Sequence, residues 1–229
     1  MNVLIVGGSS DIGKGLANYL SKKGYNVIIT YHINKDKLDN IEFIKCDIKD
    51  ETSINDTIKY IINKYGTINI MINMASISID NYFLDKTKKE FMDVLEVNLV
   101  GTFLLNKVYC KYISNGMIIN IASTDGIDTG SIYNIDYSAS KAGIINMTKI
   151  LQNATSNDII CVAPNWIDSE STKSMDETYL KNELKRINQS RLITIDELNK
   201  SIYEIINTKS KERIYRIDIK EDKLWIEKI

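Results

Sequence analysis

Short apolar, β-branched runs alternate with longer helical patterns along nearly the whole chain of 229 residues, and this alternation restricts the fold more than any other feature. The runs occupy residues 3–6, 27–30, 43–46, 68–73, 117–121, 159–163 and 214–219. Their unbroken apolar character suits strands covered on both faces, as in a parallel sheet; half-exposed strands would alternate apolar with polar residues. Between the runs, Ile54, Ile58, Ile61 and Ile62 fall on one helix face, and Phe91, Val94, Leu95 and Leu99 begin a longer helix expected to reach about Ile113. Parallel neighbours require right-handed crossovers, so repeated βα units predict an α/β fold: a doubly wound parallel sheet of seven strands, Rossmann-type, with helices on both faces. Near the C-terminus, Thr194 and Glu197 form a capping box that Ile193 and Leu198 would close as a hydrophobic staple, with Ile202, Ile205 and Ile206 continuing that helix. No Pro/Gly/Ser-rich linker divides the chain, Pro164 is its one proline, and no glycine follows Gly143, so residues 1–229 are expected to form a single domain.

Charge and composition remove several function classes. The formal net charge is −1 with both signs interspersed, which gives no basic footprint for nucleic acid. His32 is the only histidine, so no His-based metal site and no Ser-His-Asp triad is expected. Cys46, Cys110 and Cys161 lie far apart without a C-x-x-C and read as reduced, packed thiols. No apolar run reaches the roughly 18 residues needed for a membrane span. The N-terminus runs directly into a strand pattern rather than a signal peptide, so a cytoplasmic protein is expected.

The first run ends in Gly7-Gly8-Ser9-Ser10-Asp11-Ile12-Gly13, after which Leu16, Ala17 and Leu20 start a helical pattern. A strand, a glycine turn and a helix N-terminus together suit a pyrophosphate, because glycine admits close backbone approach and the free N–H groups favour an anion. The spacing is not G-x-G-x-x-G, and the same residues also suit a tight turn with Ser/Asp helix capping, for which Asp11 is a natural residue. An acid at the end of the second strand would accept from an adenosine 2′-hydroxyl. Here that stretch reads Thr30-Tyr31-His32-Ile33-Asn34-Lys35 without an acid, and His32, Lys35 and Lys37 could instead face a 2′-phosphate, which favours NADP(H) over NAD(H); exposed loop residues remain the alternative.

Tyr137 and Lys141 stand one turn apart on a helical pattern. A tyrosine alone, with its pKa near 10, is a poor acid/base at neutral pH, but an ammonium within about 6 Å favours its phenolate. Ser123 lies just past the 117–121 run, where an α/β sheet places its ligands, and Asn98 is a polar residue inside an apolar helix face.

The order of these motifs resembles the short-chain dehydrogenase/reductase family over nearly the whole chain, and within it bacterial 3-oxoacyl-carrier-protein reductase-like members. The resemblance rests on Gly7 to Gly13, Asp47, Asn73-Met74-Ala75-Ser76, Glu96-Val97-Asn98, Asn120-Ile121-Ala122-Ser123, Tyr137 to Lys141, and Val162-Ala163-Pro164-Asn165-Trp166-Ile167. It implies Tyr137 as acid/base, Lys141 as the group that lowers its pKa and holds the nicotinamide ribose, Ser123 on the substrate oxygen, and Asn98 anchoring a water in a proton relay. It further implies Gly7, Ser9, Ser10, Asp11 and Ile12 at the pyrophosphate, Tyr31 and His32 near the adenosine ribose, Asp47 and Ile48 at adenine, and Asn73 and Ala75 lining the cofactor. Ile167 would meet the carboxamide with Pro164 and Ser169 beside it. The chain departs from the family pattern at Asp11, Met74, Ser76 and Asn165 and in its ending, which reads Lys220-Glu221-Asp222-Lys223-Leu224-Trp225. A substrate lid is expected over about 168–190, mixing charge with Met175, Tyr179 and Leu184, and the substrate expected is a small molecule or an acyl thioester. A homodimer or homotetramer through residues 104–113 and 142–151 is expected. The competing readings are a non-catalytic cofactor-binding sensor and a sugar epimerase, the latter usually needing an additional substrate domain.

Overall fold

The computed structural model describes residues 1–33, 37–208 and 212–229. Eight strands form one sheet in the order β3-β2-β1-β4-β5-β6-β7-β8. They are β1 (Asn2–Val6), β2 (Asn26–Tyr31), β3 (Glu42–Lys45), β4 (Ile70–Asn73), β5 (Met117–Ile121), β6 (Asp158–Pro164), β7 (Ile214–Lys220) and β8 (Lys223–Lys228). The first seven are parallel and correspond to the seven expected runs. The eighth corrects the count: β8 pairs antiparallel with β7, from Tyr215 opposite Lys228 to Lys220 opposite Lys223. Glu221 and Asp222 both take left-handed backbone, with φ of 50° and 59°, as a two-residue hairpin turn requires. The strand escaped the apolar-run criterion because it is a largely exposed edge carrying charged residues, which protect an open edge from further pairing.

The helices are α1 (Asp11–Lys22), α2 (Glu51–Tyr65), α3 (Lys88–Leu95), α4 (Thr102–Tyr112), α5 (Ile135–Leu151), α6 (Glu170–Lys173), α7 (Glu177–Arg186) and α8 (Ile195–Asn207). Strand periodicity divides the core between the two sheet faces. Val3 and Ile5 of β1 pack with Leu16 and Leu20 of α1 and Leu198 and Ile202 of α8. Leu4 and Val6, pointing the other way, pack with Ile58 and Ile61 of α2 and Leu105 and Tyr109 of α4. The capping box expected at Thr194 and Glu197 starts α8, with both reciprocal hydrogen bonds made.

The long helix expected from Phe91 to Ile113 is broken. Between α3 and α4 the chain widens into a π-helical turn, Glu96–Gly101, that carries buried Asn98. Thr102 Oγ1 donates to the Asn98 carbonyl at 2.6 Å, satisfying one acceptor where the ladder changes. Such turns leave no mark in an apolar periodicity, because the residues on either side keep the same buried face.

β1 is the pivot of the topology: β2 pairs on one side and β4 on the other. The connections after β1 and β4 therefore leave in opposite directions and open a crevice at the strands' C-terminal ends. Gly7 fills the mouth of that crevice with φ +70°, and a Cβ there would lie 2.6 Å from the Ala75 Cα. Behind it, a Cβ on Gly13 would come within 2.5 Å of the Gly8 Cα. Replacing Gly13 with alanine should therefore push α1 off the turn and destabilise the protein by about 1–3 kcal/mol, as overpacking does. Urea unfolding of Gly13→Ala against the wild type measures this, and equal stability would contradict it.

Candidate active site

A cleft of about 730 Å³ runs along the C-terminal edge of the sheet, a size typical of small-molecule and cofactor sites. At one end its walls are the glycine turn, His32, Asp47 and Lys49; at the other they are Ser123, Asp125, Tyr137 and Tyr179. Of the residues singled out in the sequence, Gly7, Ser9, Ser10, Asp11, Ile12, His32, Asp47, Ala75, Ser123, Tyr137, Lys141, Pro164, Ile167 and Ser169 all line it. Tyr31, Ile48, Asn73 and Asn98 are not on its wall. Ile48 belongs to the core cluster of Leu4 and Tyr109 and packs on Gly101, while Asn73 donates to Thr102 Oγ1 at 2.8 Å and accepts from the Ala75 N–H. Tyr31 pairs with Lys45 at the end of β2. Lys35 lies outside the described residues.

The glycine turn is built from its own residues. Gly7 N–H donates to Thr30 Oγ1 and Gly8 N–H to the Thr30 carbonyl, fixing the turn to β2. The N-cap of α1 is Ser10, whose Oγ accepts from Gly13 N–H at 3.1 Å, and not Asp11. Asp11 is the first helical residue, and its carboxylate reaches across the cleft to accept from Glu170 N–H at 2.6 Å. That contact turns the carboxylate away from the amides of the turn, so an acid in this position is compatible with an anion bound there. Glycine backbone approach, a free helix N-terminus and a cleft continuous to Tyr137 together fit a dinucleotide.

At the other end, Tyr137 sits in the first turns of α5 and shares the cleft wall with Ser123 and Ser76. Ser123 Oγ accepts from Asp125 N–H at 3.1 Å. Lys141 is buried; its ammonium lies 5.2 Å from the centre of the Tyr137 ring and donates to the Ile121 carbonyl at 3.0 Å. Asn98 forms a clamp: Oδ1 accepts from Ile77 N–H at 2.8 Å, and Nδ2 donates to the Ile77 carbonyl at 2.9 Å and to Ser140 Oγ at 3.2 Å. Ser140 Oγ donates to the Tyr137 carbonyl at 2.6 Å, so the π-helical turn and the catalytic helix are tied through one residue. A buried ion pair adds a second tie: Lys86 and Asp136 meet at 2.7 Å with side chains 2% and 0% exposed. Asp136 also accepts from Tyr137 N–H, and Lys86 donates to the Ile79 carbonyl.

The electrostatics differ from the expectation that Lys141 lowers the Tyr137 pKa. Burial raises the Tyr137 phenol above its ordinary value, the charge of Asp125 adds to the rise, and the Ser123 and Ser76 hydroxyls oppose it. Lys141 itself is pushed down to about 8 by burial, against a smaller opposing pull from Cys161 and Asp125. The ammonium lies 5.2 Å from the ring centre and donates to the Ile121 carbonyl.

Several lining residues gave no signal in the sequence. Lys49 is at the His32 end, 3.8 Å from Glu96, and Asp80 and Asp125 share the cleft with Tyr137. Ser76 was visible only as a departure from the family pattern.

Residues 1–180 match the family model described as short chain dehydrogenase. The chain belongs to that family. Short-chain dehydrogenases of this kind are NAD(P)-dependent oxidoreductases, and relatives are similar over most of the sequence. A 3-oxoacyl-[acyl-carrier-protein] reductase of Staphylococcus epidermidis is 26% identical over 92% of this chain and 93% of its own length. One from Vibrio cholerae is 29% identical over 82% of each. Among solved structures, ElxO with NADP bound is 28% identical with a TM-score of 0.76, covering 91% of this chain and 92% of that one. A Thermoplasma acidophilum aldohexose dehydrogenase, at 21% identity and a TM-score of 0.78, shares the fold over 88% of this chain and 85% of its own.

The Lys141 value sets a pH dependence for this short-chain dehydrogenase. Below about 8 the ammonium is present, and the Tyr137 phenol, raised by burial, stays protonated. Free-enzyme kcat/KM for the reduced cofactor in the reducing direction should be level below pH 8 and fall above it, as the ammonium is lost. Lys141→Met should lower the whole profile and remove that descending limb. A limb at the same pH in the variant would assign it to another group.

Proposed function

We propose that the chain is an NADPH-dependent carbonyl reductase, working reversibly as an alcohol dehydrogenase, with Tyr137 as the proton donor. The observation that carries this reading is that Tyr137, Ser123 and Lys141 line one dinucleotide-sized cleft, with the Lys141 ammonium 5.2 Å from the centre of the Tyr137 ring. The nicotinamide cofactor would supply the hydride to the carbonyl carbon. Tyr137 Oη gives its proton to the carbonyl oxygen, and Ser123 Oγ hydrogen-bonds the same oxygen as charge develops there. Lys141 stabilises the phenolate left behind and binds the nicotinamide ribose. Asn98 holds the Ile77 backbone and Ser140, and through them the start of α5, in the role of the family's proton-relay asparagine.

NADP(H) over NAD(H) is supported by the absence of an acid at the end of β2 and by His32 and Lys49 on the wall of that end, with the Asp47 carboxylate 3.4 Å from His32 Nε2. The glycine turn and Ala75 would hold the pyrophosphate side, Asp47 and Ile48 the adenine, Asn73 the wall behind it, and Pro164, Ile167 and Ser169 the nicotinamide. Residues 168–190 act as the substrate lid, since Ser169, Thr172, Met175 and Tyr179 all line the cleft. The substrate is a small carbonyl compound or an acyl thioester like that of the reductases the chain is similar to. The working form is a homodimer or homotetramer in the cytoplasm; exposed Val100, Phe103 and Ile150 support assembly through the α4 and α5 side, and no helix among the described residues is long and apolar enough to cross a membrane.

Tyr137→Phe should fold and bind NADPH as the wild type does while losing on the order of 10²–10⁴ in turnover. Steady-state oxidation of NADPH with any carbonyl the wild type reduces tests this, and near-wild-type turnover would overturn the assignment. Fluorescence titration should show NADPH binding tighter than NADH, with Lys49→Ala narrowing the gap. Tighter NADH binding would reverse the cofactor assignment.

A further inference from the structure

The substrate end of the cleft carries two carboxylates, Asp125 and Asp80, whose side-chain partners among the described residues are neutral. Asp125 follows Ser123 by two residues on the short Thr124–Gly126 turn and lines the cleft with Ser123 and Tyr137. One of its carboxylate oxygens accepts from Thr129 Oγ1 at 2.8 Å and the other from Asn134 Nδ2 at 3.0 Å, both neutral donors. A carboxylate has about four acceptor positions, so two hydrogen bonds leave room for a ligand's donors. The nearest arginine, Arg186, is held elsewhere: it binds Glu183 and the carbonyls of Thr129 and Gly130. Lys141 is the cation that shares the cleft, and its ammonium is directed to the Ile121 carbonyl. Asp80 stands exposed on the same wall, with only the Ser78 hydroxyl on its carboxylate.

Asp125 is half-buried, and a carboxylate withdrawn from water without an ion pair is costly unless donors reach it. Burial raises the Asp125 carboxyl above its ordinary range, the direction that a ligand's donor or positive charge would reverse. The field reaches Tyr179 on the same cleft: after burial, the carboxylates of Glu183, Asp80 and Asp125 push its phenol up, and the Arg186 guanidinium opposes them. Tyr179 and Trp166 give the cleft aromatic faces, which accept a cation or a polar C–H surface.

We infer, resting on the carbonyl-reductase reading, that this end selects substrates whose non-reacting part carries hydrogen-bond donors, hydroxyl or ammonium, and rejects carboxylates. Asp125 is the specificity-determining acceptor and Asp80 its outer partner. Repulsion does half of the selection, because an anionic group placed here would face two carboxylates, while Lys141 and Arg186 are engaged with backbone carbonyls and Glu183. Among carbonyl compounds this favours hydroxylated or amino ketones over keto acids.

The test uses four small ketones of similar size: acetoin, aminoacetone, butanone and acetoacetate. Initial rates are measured with NADPH, and binding of each ketone to the NADP⁺ complex is followed by tryptophan fluorescence, since Trp166 lines the cleft. The wild type should favour acetoin and aminoacetone over acetoacetate by on the order of ten- to a hundredfold, the range of a hydrogen bond to a charged group. Preference for aminoacetone over acetoin marks charge as the dominant recognition, and the reverse marks hydrogen bonding. Asp125→Asn should shrink the aminoacetone-to-acetoacetate ratio about tenfold. Asp80→Asn, at an exposed position, should shrink it less and supplies the test if Asp125→Asn fails to fold. Equal or better use of acetoacetate by the wild type overturns the inference, as does a ratio unmoved in both folded variants. If no ketone is reduced yet binding keeps the preference, the reductase reading fails and the recognition stands. Binding without preference removes the recognition.

Discussion

The pairing of β1 on both sides is the constraint from which the site follows. Because β2 and β4 take opposite edges of β1, the segments that leave β1 and β4 cannot cover the same ground, and the gap between them is where a ligand fits. The Gly7 turn and Ala75 meet across that gap so closely that a side chain at Gly7 has no place. The backbone is thereby the surface presented at this end, and amides rather than side chains set its chemistry. The sheet supports this arrangement by being apolar on both faces. Val3 and Ile5 are held by α1 and α8, Leu4 and Val6 by α2 and α4, and the strand ends have little freedom to shift.

At the far end the precision comes from polar ties. Tyr137 lies in a helix whose start is held twice, by the Lys86–Asp136 pair and by the Asn98–Ser140 link, and both ties reach the 77–86 segment. A buried ion pair is weak evidence for net stability, because desolvation offsets the attraction. Its effect here is geometric: Asp136 takes the Tyr137 N–H, so the orientation of the first turn of α5 is coupled to a segment on the other side of the cleft. The widened turn at Glu96–Gly101 serves the same end, since it brings the Asn98 amide to the Ile77 backbone.

The seven parallel strands and their order of helices were legible because strands buried on both faces carry unbroken apolar runs, and the capping box at Thr194 because local hydrogen bonding fixes it. β8 was not, since its exposed edge mixes charge with Trp225 and Ile226 and imitates a polar tail. The π-helical turn was not, because Val94 and Leu105 keep the period of an ordinary helix on either side of it. Of the Ser and Asp residues that could cap the glycine turn's helix, Ser10 does so, while Asp11 accepts from Glu170 far along the chain. Most of the motif residues reach the cleft, but Tyr31, Ile48, Asn73 and Asn98 do not, since membership of a motif does not say which way a side chain faces. Lys49, Asp80 and Asp125 went unnoticed for the opposite reason: each is an ordinary charged residue until separate loops bring it to one wall.

The contact of Asp11 with Glu170 joins residues 159 positions apart in sequence. It closes a long loop, and a contact of this sequence separation repays the loop-closure entropy only late. A single exposed hydrogen bond of this kind is also easily opened in the native state, with little else needing to unfold. The cleft can thus loosen along this seam while the sheet stays intact, and the same long loop that delays its assembly lets it breathe afterwards.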